Sequence, residues 1–130
     1  MANVTLTDPI LGVKLEIDEE IAPLVRAIHN YGGFIIEARK VAATSAYPWN
    51  SWNLEFSKIG AMDRLLLAIK ETEPEALPRV GVDTGLVESG HGYTTIAISL
   101  VVAADAIANV TRAARRLRPV GRPMLRLVSC

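Results

Sequence analysis

The chain has 130 residues, half of them hydrophobic and 22% charged, with 14 Lys+Arg against 14 Asp+Glu. That composition excludes an acidic or basic disordered tail, and the length suits a single domain, residues 1–130, with a real core. The zero net charge hides a split: residues 1–105 sum to −6, while residues 106–130 hold six arginines and no acid. Either the two regions neutralise each other in the fold, or the arginines make a basic patch for a partner.

Val13, Leu15 and Ile17 alternate with Lys14 and Glu16, the pattern of a half-buried strand. Asp18 is placed to cap the helix that follows, whose Ile21, Leu24, Val25 and Ile28 form one apolar stripe. Pro23 suits its first turn, and Gly32-Gly33 ends it. His29, at the edge of the stripe, reads as a partly exposed packing residue. Residues 34–41 read as a strand, 42–50 as a loop, and Trp52, Leu54 and Phe56 as the inward side of another strand. Ser57 is a candidate cap for a second helix that buries Ile59, Met62, Leu66 and Ile69 and stops at Glu73-Pro74.

Residues 72–93 are rich in Gly and Pro, and Asp83-Thr84-Gly85 reads as a turn between two short extended pieces. Thr94 to Val102 is a strand with Ile96, Ile98, Leu100 and Val102 inward. Asp105 caps a third helix with the stripe Ile107, Val110, Ala114 and Leu117, and Arg112, Arg115 and Arg116 opposite. Met124 to Val128 is a short final strand. The order matches an α+β, ferredoxin-like β-α-β-β-α-β core over residues 12–102, with a C-terminal helix and strand over 105–128.

One cysteine, Cys130, allows no intrachain disulfide, and the first residues lack the basic start of a signal peptide. The longest apolar run, 96–104, is about half of a membrane span. A soluble, cytoplasmic protein is expected, with no membrane partner.

Few residues carry chemistry. Asp83-Thr84-Gly85 is the aspartic-protease triplet, but three amphipathic helices disagree with that nearly all-β fold. Ser89-Gly90-His91 lacks a third group to orient a base, so a glycine-rich turn is the simpler reading. No catalytic residue is assigned. Two distant histidines and a terminal cysteine make no zinc set, and there is no phosphate loop or dinucleotide fingerprint, so no metal or cofactor is expected. Arg112, Arg115, Arg116 and Arg118 form a basic patch able to meet phosphates. An RNA-binding sheet needs aromatics on its open face, whereas Trp52 and Phe56 share the parity of inward Leu54. A solvated face partly paired with the acidic first helix is the plainer reading. Tyr47 and Trp49 stand on a loop, as an interface or as a loop folded back over the sheet.

Residues 17–28, the Gly-led strand after them, Trp52-Asn53-Leu54-Glu55-Phe56, and Ile98 to Val102 followed by Asp105 resemble short proteins of actinobacteria and their phages. Those proteins carry Ser-Cys-Gln after the second strand, where this chain has Ala38-Arg39-Lys40. The element order and Gly32-Gly33 also resemble small-molecule-sensing ACT domains. That second resemblance implies an amino-acid ligand at a subunit interface near Asn30, Gly32 and Gly33.

The function expected is a non-catalytic interaction or assembly module: a virion component, a homo-oligomer or an inhibitor of a host protein. Its contacts are expected at Tyr47 and Trp49, at Val87 and His91 in the 80–92 segment, or at an exposed sheet edge. A ligand sensor and a basic-helix nucleic-acid binder are the alternatives.

Overall fold

The computed structural model describes residues 3–7, 12, 14–88, 92 and 94–119. β1 (Asn3–Thr7) and β2 (Lys14–Asp18) pair antiparallel, with Leu6 opposite Leu15 and Val4 opposite Ile17. Leu6 and Ile17 enter the core. Asp18 then accepts a hydrogen bond from the Glu20 N–H at 2.9 Å, turning the chain just before the helix instead of capping it. α1 (Ala22–Asn30) follows, with Pro23 in its first turn. Its stripe of Ile21, Leu24, Val25 and Ile28 is fully buried. The helix ends as expected: Gly33 N–H donates to the Ile28 carbonyl at 3.0 Å, and Gly32 takes φ +99°.

The remaining elements are β3 (Ile35–Val41), β4 (Ser51–Phe56), α2 (Ile59–Thr72), a 3-10 turn over Pro74–Arg79, β5 (Val80–Glu88), β6 (Thr94–Ala103) and α3 (Ile107–Arg115). β3-β4-β6-β5 is one antiparallel sheet, and β1-β2 is a separate two-stranded one. The architecture is α+β. α3 packs against both α1 and α2. Trp52, Leu54, Phe56, Leu100 and Val102 are buried between sheet and helices. Glu37, Arg39, Asn53, Glu55, Asp83 and Ser99 line the open face, as the alternation requires.

The sheet order departs from the ferredoxin-like one. That order places the first strand of the core inside the sheet, next to the last. Here β4 and β6 pair directly, from Ser51↔Ala103 to Glu55↔Ser99, and leave no slot between them. β2 takes β1 as its partner instead. The Asp83–Gly85 turn is also corrected. β5 runs unbroken, paired from Val80↔Val102 to Glu88↔Thr94, because ten-residue β6 offers a ladder long enough to hold all of it.

Smaller departures concern helix ends. Ser57 makes no cap on α2, Ile59 is 56% exposed, and Leu65 and Ala68 are buried in its place. Asp105 pairs with Arg79 from the 3-10 turn Ala104–Ala106 and does not cap α3. The expected strand over 124–128 lies outside the described residues.

Candidate interaction surfaces

The loop between β3 and β4 folds back on the molecule. Thr44 N–H donates to the Tyr47 carbonyl at 2.9 Å, and Tyr47 N–H donates to Thr44 Oγ1 at 3.1 Å. This closed turn lays Tyr47 across the sheet onto β5, where its hydroxyl donates to the Val82 carbonyl at 3.2 Å. Gly81 makes the room, since a Cβ there would lie 2.4 Å from Tyr47 Cε1. Trp49 packs partly buried against the core, with the Arg79 guanidinium 5.7 Å from its ring centre. Its Nε1 is buried and has no hydrogen-bond partner among the described residues. Tyr47 and Trp49 are thus half-buried and turned onto their own sheet, joining the loop to β5.

The basic patch divides. Arg112 grips Glu73 at two points, Nη2 to Oε1 at 2.9 Å and Nε to Oε2 at 3.5 Å, and Asn109 Nδ2 adds a bond at 3.0 Å. The Arg112 hydrogen bond first, and that of Asn109 second, hold the Glu73 carboxyl below its ordinary pKa, against the opposing effect of desolvation. Arg118 donates to the carbonyls of Arg115 and Leu117, and its own carbonyl accepts from Arg64. No ion pair is found for Arg115 or Arg116 among the described residues. The acid that pairs with helix α3 is therefore Glu73, at the end of α2, and it meets Arg112. The acids ahead of α1 go elsewhere: Glu20 binds Lys40 and Trp52 Nε1.

Of the residues matched to a ligand site, Asn30 borders a depression of about 350 Å3 with Thr5, Thr7, Arg26 and His29. Gly32 and Gly33 do not line it. Gly33 is buried, and a Cβ there would come within 2.7 Å of Ile28 Cγ2, so its missing side chain serves helix packing. His29, expected to be partly exposed, is buried and accepts the Ile35 N–H at Nε2, 3.1 Å away. Tyr31 was not singled out from sequence. It is fully buried, donates to the Ala61 carbonyl at 2.7 Å, and burial pushes its phenol pKa well up.

The far part of the β5–β6 hairpin exposes several large apolar side chains. Val82, Leu86 and Ile96 are 43%, 77% and 67% exposed. Leu86 pairs with Ile96 and Val82 with Leu100, so they share the apolar parity of the sheet. That parity foresees an inward Ile96, but among the described residues no helix covers it at this end. Asp83 lies in mid-strand on the open face, and Thr84 follows it. Val87 belongs to β5, but its side chain lies outside the described residues, as do Ser89, Gly90 and His91.

Among the described residues no group of three or more His, Cys, Asp or Glu is placed to hold a metal ion, and no helix is long and apolar enough to cross a membrane. Comparison with protein-family models, curated proteins and solved structures gives no match.

Proposed function

We propose that the protein is a non-catalytic interaction or assembly module that takes a protein partner on β5 and the adjoining face of β6. The carrying observation is an edge strand whose Val82 and Leu86 stand exposed beside Ile96. An edge strand presents a row of main-chain donors and acceptors to an incoming strand. Apolar side chains beside that row add binding energy on desolvation. The resemblance over residues 17–28 and 52–56 suggests the setting, an accessory protein of a phage or bacterium. The ligand-sensor reading has less support, because Gly33 is closed off by Ile28.

A photo-crosslinking residue placed at 86 or 96 in the expressing cell tests this reading, with 67 on α2, another exposed apolar position, as the control. Defined adducts at 86 and 96, absent at 67, are expected. Labelling no greater at the hairpin than at 67 would count against an interaction surface there.

A further inference from the structure

The four-stranded sheet has two edges, and they are built differently. β3 carries Glu37, Arg39 and Lys40 and a register break between Ile35 and Glu37. Charges and bulges of this kind keep an edge from pairing with another strand. β5 lacks a bulge, although the Tyr47 hydroxyl holds its Val82 carbonyl at the edge, and an incoming strand must displace that bond. Its nine residues pair with β6 without a break, and it holds no Lys, Arg or Pro. Its only charges are Asp83 and Glu88.

Resting on the interaction reading above, we propose that the partner is a second copy of this chain, joined β5 to β5 about a two-fold axis at Thr84. Thr84 is the midpoint of Val80–Glu88, so this axis alone pairs the whole strand with its copy. Val82 then falls opposite Leu86 of the second copy, and each exposed apolar residue meets another. Asp83 falls opposite Gly85 and Glu88 opposite Val80, so each carboxylate meets an uncharged residue. An axis at Asp83 would set two carboxylates face to face, and one at Gly85 would set Val82 against Glu88; both cost stability. Opposed residues of an antiparallel pair share a face. The helices of both copies therefore lie on one side of an eight-stranded sheet, and the uncovered Leu86 and Ile96 extend the apolar face of the neighbour. The interface is isologous, so it closes at two copies.

The test uses the purified full chain carrying Cys130→Ser. Sedimentation equilibrium is expected to show a concentration-dependent dimer. Leu86→Lys is expected to raise its dissociation constant at least about tenfold, while leaving the circular dichroism and melting temperature of the dilute chain unchanged. Thr84→Cys should give a covalent dimer on mild oxidation, because opposed Cα atoms about 4.5–5.5 Å apart lie within disulfide range. Asp83→Cys, which faces Gly85, should not. A chain that stays monomeric at every concentration, or a dimer indifferent to Leu86→Lys, overturns self-pairing. If position 86 still crosslinks to a different protein, only the self-pairing fails; if it crosslinks to nothing, the interaction reading fails with it.

Discussion

Tyr47 lies over Gly81 so closely that the two positions depend on one another. Gly81→Ala would put a methyl group 2.4 Å from Tyr47 Cε1 and 2.7 Å from its hydroxyl oxygen. The ring is half-exposed and carried on a loop, so it will swing away before the strand moves. The loss is then the Tyr47 contact: a hydrogen bond to the Val82 carbonyl worth about 0.5–1.5 kcal/mol, with some ring packing. Against it stands the gain from replacing glycine inside a strand, about 0.5–1 kcal/mol. Gly81→Ala should therefore be neutral to mildly destabilising in the natural chain. With Tyr47→Ala already present, nothing is left to displace, and the same change should stabilise by about 0.5–1 kcal/mol. The coupling between the two sites is about 1–2 kcal/mol, readable from urea unfolding of the four variants at one fixed protein concentration. Additive effects, or a Gly81→Ala cost undiminished by removing Tyr47, would refute the placement of the ring on β5.

Other outcomes follow from burial and pairing. Leu54→Ala, at a fully buried site, should cost about 2–5 kcal/mol in urea unfolding, whereas exposed Ile59→Ala should stay within about 0.5 kcal/mol. His29→Leu leaves the buried Ile35 N–H without its acceptor and should cost about 1–3 kcal/mol, with faster amide exchange at Ile35 as the local readout. Glu73 has a depressed pKa in the folded chain. The stability it contributes is complete above the ordinary glutamate value of 4.5 and is lost as pH falls through the lower folded value. Urea midpoints measured from pH 7 down to pH 3 should thus fall less steeply for Glu73→Gln than for the natural chain. Arg112→Ala should lower the melting temperature at neutral pH, while Arg115→Ala and Arg116→Ala, which break no ion pair found here, should leave it unchanged.

Much of the local structure is legible in the residues. The stripe Ile21, Leu24, Val25, Ile28 can bury itself only as a helix, and the alternation of Trp52, Leu54 and Phe56 only as a strand with one dry face. Gly32-Gly33 marks the helix end because few other residues enter the left-handed region. Asp83-Thr84-Gly85 misleads, since turn composition is a local preference and β6 offers a better partner for that backbone. β1 went unread because five residues with two inward side chains give too short a pattern. The surfaces are less legible still. Ile96 looks like core from its parity, yet it stands exposed beside Leu86 because no helix among the described residues covers that end of the sheet.

The opening charge division shows where the line falls. The sequence by itself settles that six arginines follow residue 105 without an acid among them, and periodicity puts Arg112, Arg115 and Arg116 on the outer face of a helix. Which acid meets them is decided by packing. α3 lies against both α1 and α2, and it is the end of α2 that brings Glu73 under Arg112 and Asn109. Likewise β2 has a strand's pattern in any setting, but its place outside the main sheet depends on β4 and β6 having closed on each other. Periodicity acts within one element, whereas pairing between elements is a competition among all available edges and charges, and only the assembled chain resolves it.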